Sequence, residues 1–263
     1  MRKLVVVFVL REAIYSFAAL VAMAVLVGLL AAETLVKVLG PATSPLTGKV
    51  IVIDPGHGGI DPGAHDGQGI KEKDIVLAIA SELRVLLGRA KAIPIQTRLG
   101  DWDLSDIYPD ERTRHRQDLM ARVHIAHRSQ ADAFVSIHVN KSSSTSASGP
   151  VTFYNPNQPE SKRLAAALQR RLRELQPETA GWIMPGDFYI LRESKVPTAI
   201  VEVGFISNPE EKKLLLTGEY RQKLAQAIFE GLCDFFKGSP LPPSPGRASP
   251  HQVPMKSWVN IFP

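Results

Sequence analysis

Three short apolar runs, each ending in a group able to bind a metal or move a proton, constrain this chain more than any other feature. Val50-Ile51-Val52-Ile53 leads into Asp54-Pro55-Gly56-His57-Gly58-Gly59. Ala133 to His138 carries Phe134-Val135-Ser136-Ile137 and ends on its histidine, and Ala199 to Val203 contains Glu202. Apolar runs without polar alternation read as strands buried on both faces. Amphipathic helical patterns separate them. Glu72 to Leu87 puts Ile75, Ile79, Leu83 and Leu86 on one face, and Asp110 to His127 turns Leu119, Val123 and Ala126 inward. Glu160 to Leu175 bears the stripe Leu164, Leu168, Leu172 and Leu175, and Tyr220 to Phe236 presents Tyr220, Leu224, Ile228, Leu232 and Phe235. Two more strands are expected: Ile93 to Thr97, kept to an edge or a strand start by Pro94, and the short Val151 to Tyr154. The pattern predicts an α/β fold, a single domain with a mixed, mostly parallel sheet and helices on both faces.

Ligands of open α/β sheets gather beyond the carboxyl ends of the strands. If the three central strands are parallel neighbours, His57, His138 and Glu202 point into one crevice. Glu72 opens the helix after the glycine-rich stretch Gly56 to Gly69, which is long enough to fold back and set Glu72 beside His57. Two histidines and a glutamate are a common ligand set for catalytic zinc, with a second glutamate taking a proton from water. On the residues alone, Glu72 and Glu202 fit either role. Plainer readings exist for each group. A strand-end histidine is often only hydrogen-bonded, and Glu72 suits a helix first turn. Glu202 resists such a reading, because an ionised carboxylate in an apolar run is costly unless paired or metal-linked.

Composition narrows the options. Of 263 residues, 44% are hydrophobic and 22% charged, which excludes a disordered or collagen-like chain. The one cysteine, Cys233, excludes an intramolecular disulfide and a Cys-rich zinc module, so a metal site must use His, Asp or Glu. Cys233 itself reads as a small buried residue. The net charge of +5 suits several polyanions, but no aromatic-basic motif points to nucleic acid, and none is expected as a partner.

Ala13 to Ala32 carries no charge, and about 20 helical residues span the ~30 Å hydrocarbon core of a bilayer. Arg2, Lys3 and Arg11 precede it, which places the N-terminus in the cytoplasm. The chain therefore reads as a cytoplasmic segment 1–12, one N-terminal transmembrane helix 13–32, a linker 33–47, a folded body 48–237 and a proline-rich disordered tail 238–263. The competing reading is a signal peptide cleaved near Ala22-Met23-Ala24, which would make the body secreted. Both put the body outside the cytoplasm.

Ile51 to Gly59, Glu72-Lys73-Asp74, Ser136-Ile137-His138-Val139-Asn140 and Val201 to Glu210 resemble, in order, the zinc-dependent N-acetylmuramoyl-L-alanine amidases of bacterial cell walls, the type 3 amidases. The resemblance covers roughly Gly48 to Phe236. It implies zinc (Zn2+) held by His57, Glu72 and His138, with Glu202 as the catalytic carboxylate. It also implies hydrolysis of the amide between N-acetylmuramic acid and L-alanine in peptidoglycan. Within the family, the chain looks most like the small membrane-anchored amidases of spore-formers that help make muramic-δ-lactam in the spore cortex. Its apolar N-terminus, Leu46-Thr47-Gly48-Lys49, Asp101-Trp102-Asp103-Leu104 and lack of wall-binding repeats carry that likeness. The catalytic domain would then face the cell envelope or the forespore intermembrane space, anchored singly in the cytoplasmic membrane. Tyr154 to Leu191 is too short for the inserted helix that blocks the zinc in division-type relatives, so an open site is expected. The rival readings are a zinc peptidase or deacetylase on the same polymer, and a non-catalytic wall-binding module. An activating protein partner is compatible with the sequence but not specified by it.

Other polar residues receive ordinary expectations. His65 reads as a solvated loop residue, and His115, His124 and His127 with Arg112, Arg114, Arg116 and Arg122 as a solvated basic face. Arg98 is expected to pair with Asp101 or Asp103. Asn140 and Asp54 are candidates to orient His138 and His57, and Arg192 and Glu193 to line the crevice.

Overall fold

The computed structural model describes residues 15, 19–28, 44–107, 112–177, 179 and 182–238. It divides into two units, Met1–Thr43 and Ser44–Pro263. In the first, residues 19–28 are helical and exposed. No described helix is long and apolar enough to cross a membrane. Segment 1–12, residues 13, 14, 16–18 and 29–32 of the expected anchor 13–32, most of linker 33–47 and tail 239–263 lie outside the described residues.

The second unit runs β1 (Val50–Pro55), α1 (Glu72–Arg89), β2 (Ile93–Gln96), a 3-10 turn (Ser105–Ile107), α2 (Arg114–Arg128), β3 (Ala133–Asn140), β4 (Val151–Tyr154), α3 (Pro159–Leu175), β5 (Trp182–Pro185), α4 (Tyr189–Glu193), β6 (Thr198–Phe205), α5 (Pro209–Leu215) and α6 (Gly218–Phe236). The six strands form one sheet in the order β2-β1-β3-β6-β4-β5. β1 is parallel to β2 and β3, β3 to β6, and β4 to β5; β4 is antiparallel to β6. The sheet is thus mixed and mostly parallel, with β2 at one edge, where Pro94 is tolerated.

Side-chain alternation along β1 divides the core. Ile51 and Ile53 join the apolar layer beneath α1, α3 and α6, whereas Val52 meets Phe134, Val123 of α2 and Ile190 of α4 on the opposite face. Covered on both faces, β3 and β6 are buried at every position. α3 and α6 approach closely at Gly231, where a β-carbon would lie 2.8 Å from the Leu168 Cα.

Local chemistry explains where the elements depart from the periodicity. α2 begins at Arg114, not Asp110, because the Thr113 side chain caps it by accepting from the Arg116 amide. β3 extends to Asn140 and β6 to Phe205, beyond their last apolar runs, because the pairing continues past them. β5, α4 and α5 lie outside the expected elements. α5 has its signal in Asn208-Pro209: the Asn208 side chain accepts from the Glu210 and Glu211 amides, and proline takes the first helical position. Between Tyr154 and Leu191 the described residues hold no helix besides α3 and the start of α4.

Candidate metal centre

β1, β3 and β6 lie side by side and parallel, so their carboxyl ends open on the same edge of the sheet. His138 and Glu202 are direct register partners across β3 and β6. His57 follows β1, and the loop after it folds back so that Glu72, first residue of α1, reaches both imidazoles. Glu72 Oε2 stands 3.2 Å from His57 Nε2, and Oε1 stands 2.9 Å from His138 Nδ1. The same oxygens accept from the Ala64 amide at 2.6 Å and the Val139 amide at 2.8 Å. One donor atom from each of His57, Glu72 and His138 falls within 4.8 Å of the others. The two rings meet edge to face, with centroids 4.9 Å apart.

Glycine makes this approach possible. A β-carbon on Gly56 would sit 2.2 Å from the His138 ring, and one on Gly63 would sit 2.5 Å from Glu72 Oε2 and 2.6 Å from the His57 ring. Gly63 also has φ +65, a conformation other residues adopt only under strain. His57 itself has φ +60.

Two buried arginines hold the turn that carries His57. Arg98 donates from Nε to the Pro55 carbonyl and from Nη2 to the carbonyls of Gly56 and Lys73, and its Nη1 reaches Gly100. It therefore neither pairs with Asp101 nor with Asp103, whose partners are Lys73 and Arg114. Arg122 leaves the expected basic face. It is buried, paired with Asp54 and Asp118, and donates to the carbonyls of Pro55 and His57. The reason is topological: α2 packs against the sheet, and only a long cation on its inner face reaches the end of β1.

Asp54 does not orient His57. Its carboxylate accepts from Thr97, Ser136 and Arg122. Asp61, absent from the sequence reading, is the carboxylate on His57, 2.7 Å from Nδ1. The Asn140 side chain accepts from the Lys141 amide. His65 is exposed on the loop, and Arg192 pairs with Asp187 and Glu193 near the surface. Cys233 is half-buried, and burial raises its thiol pKa.

The electrostatics favour a cation among these groups. Burial opposes a charged His57, but Glu72 and Asp61 outweigh it and raise its pKa to about 10. Burial likewise opposes the Glu72 carboxylate, and the two histidines overcome it, leaving its pKa well below the usual carboxylate range. Glu202 moves the other way. Burial first, then the negative charge of Glu72, hold it well above that range. Among the described residues, its Oε2 is buried without a hydrogen-bond partner. A buried oxygen of this kind calls for a partner. The nitrogen–oxygen–nitrogen donor set fits zinc by its chemistry.

Fold and site together define an α/β protein in which a histidine–glutamate cluster able to hold a metal ion and a separate buried carboxylate share the carboxyl ends of three parallel strands. The chain belongs to the N-acetylmuramoyl-L-alanine amidase family, which it matches over residues 51–234. It is 37% identical over 204 residues to the germination-specific N-acetylmuramoyl-L-alanine amidase of Bacillus subtilis, covering 76% of this chain and 86% of that one. Its fold is similar to the CwlD amidase of Clostridioides difficile, solved in complex with the GerS lipoprotein: TM-score 0.67, 35% identity, 72% of this chain and 99% of that one. It is also similar to the amidase AmiC2 of Nostoc punctiforme, at TM-score 0.63 and 30% identity over 73% and 99% of the two chains. The chain is an N-acetylmuramoyl-L-alanine amidase acting on peptidoglycan.

Proposed function

We propose that His57, Glu72 and His138 hold a zinc ion and that Glu202 moves the proton during hydrolysis of the muramoyl–alanine amide. The observation that carries this reading is the convergence of three donor atoms within 4.8 Å beside a buried glutamate oxygen that lacks a partner among the described residues. When bound, zinc polarises the scissile carbonyl and makes water nucleophilic at neutral pH. A cation held by Glu72 would offset the negative charge that helps keep Glu202 protonated. The ionised Glu202 then takes a proton from the attacking water and returns it to the alanine nitrogen as the C–N bond breaks. Glu72 is the better ligand of the two glutamates, because its two oxygens contact the two imidazoles.

Metal analysis joined to mass spectrometry of digested muropeptides tests this. The wild type should bind about one zinc and expose L-alanine amino termini while leaving muramic acid intact. Glu202→Gln should keep the zinc and lose about 10²–10⁴-fold in turnover. His138→Ala should lose both. Full activity in Glu202→Gln would remove the glutamate from the mechanism.

The likeness to a germination-specific amidase supports a role in spore cortex maturation through muramic-δ-lactam. Expression in a spore-former lacking its own cortex amidase should restore the lactam; cortex without it would count against the role. Segment 13–32 is proposed as the membrane anchor, which deletion of residues 1–32 tests by loss from the membrane fraction. The complex formed by the Clostridioides difficile amidase supports a protein partner for this chain.

A further inference from the structure

We propose that Asp61 is a positioning residue for the metal centre, locking the His57 ring so that Nε2 faces Glu72 and His138. The proposal rests on the reading of this cluster as a zinc site. An ionised carboxylate only accepts hydrogen bonds, so Asp61 Oδ2, 2.7 Å from Nδ1, requires the proton on that nitrogen. The lone pair of a neutral ring is then at Nε2, the atom 3.2 Å from Glu72 Oε2.

Asp61 is itself fixed. Its amide and carbonyl exchange hydrogen bonds with those of Gly58 at 3.1 and 3.0 Å. Its Oδ1 accepts from the Gly63 amide at 3.0 Å, which leaves Oδ2 for the ring. The residues that place the carboxylate thus belong to the same tight loop as Gly63, whose bare Cα admits both the Glu72 carboxylate and the His57 ring.

The two histidines differ in why such help is needed. His138 sits inside β3, opposite Glu202 of β6, with its ring against Gly56. Strand geometry sets its direction. His57 lies beyond the end of β1, at φ +60, with its carbonyl held by Arg122. Those contacts fix its backbone but do not set which ring nitrogen carries the proton. Asp61 sets it, from 2.7 Å on Nδ1. Carboxylates behind metal-binding histidines act in this way, and their loss costs about 10–100-fold in metal affinity.

Zinc affinity measured by competition with a chromophoric chelator, with near-ultraviolet circular dichroism of the metal-free proteins, tests the assignment. Asp61→Ala should bind zinc about 10–100-fold more weakly than wild type while its metal-free dichroism stays native. Asp61→Asn, which keeps an acceptor oxygen, should recover part of the loss. Glu202→Gln should bind zinc like wild type. Wild-type affinity in Asp61→Ala would overturn the proposal, and so would loss of native dichroism in that variant, which would make Asp61 merely structural. Absence of zinc binding by the wild type would instead sink the zinc reading itself.

Discussion

The layer between α3 and α6 and the cluster at the strand ends are equally buried but made of opposite materials. Leu164, Leu168, Leu172, Leu224, Ile228 and Leu232 in the layer are all at most 1% exposed, as are Asp54, Glu72, Arg98 and Arg122 at the cluster. The layer is held by non-directional apolar contact, which tolerates repacking when volume is conserved. The cluster is held by directional bonds between charged side chains and backbone carbonyls, each of which fixes an atom. Apolar burial stabilises the domain, and the polar lattice places the donor atoms.

Arg122→Met should give the largest stability effect, about 3–5 kcal/mol, because it leaves Asp54 and Asp118 buried without their cation. Zinc affinity and turnover should fall as well, since the His57 carbonyl loses its donor. Leu168→Ala should cost about 2–5 kcal/mol in urea denaturation and leave zinc affinity unchanged. If the leucine variant also lost zinc affinity, the two regions would not be separable in this way.

Paired glycine substitutions sharpen the contrast. Gly231→Ala forces α6 away from α3 and should cost about 1–3 kcal/mol, with normal turnover at temperatures where it is folded. Gly63→Ala pushes on the Glu72 carboxylate and His57 ring, and its main effect should appear as weakened zinc binding in the chelator competition.

Acid should separate the regions last and least. Burial raises the Asp54 pKa, but Arg122 and the hydroxyls of Ser136 and Thr97 outweigh it, so the folded value lies below the ordinary 3.8. Such a group contributes stability above its unfolded pKa and loses it as pH falls through the folded value. Denaturation midpoints should therefore decline below about pH 4, and the decline should be shallower in Asp54→Asn relative to its own neutral midpoint. Equal slopes would show that Asp54 is not a source of the acid sensitivity.

Much of this organisation is legible in the chain. Buried strands announce themselves as continuous apolar runs, and a charged residue inside one, as Glu202 is, has to be explained by what it meets. His57, Glu72 and His138 stand at element ends that periodicity identifies. Arg122 and Asp61 were harder to read for a common reason: their partners are chosen by three-dimensional approach. Arg122 lies among other basic residues on α2, and nothing local distinguishes the one that faces Asp54, 68 residues away. Asp61 follows His57 by four residues, but the proximity has meaning only after the Gly58–Gly63 loop closes. β5 escaped because a four-residue edge strand carries too short a pattern.

Hydrophobic spacing by itself determined that this chain forms an α/β sheet and that chemistry-bearing groups end its central strands, because burial on both faces demands unbroken apolar runs. Tertiary structure decided which glutamate touches both histidines, which arginines go inside and which aspartate grips the loop imidazole. Those choices depend on hydrogen-bond directions between atoms far apart in the chain, and no local periodicity encodes them.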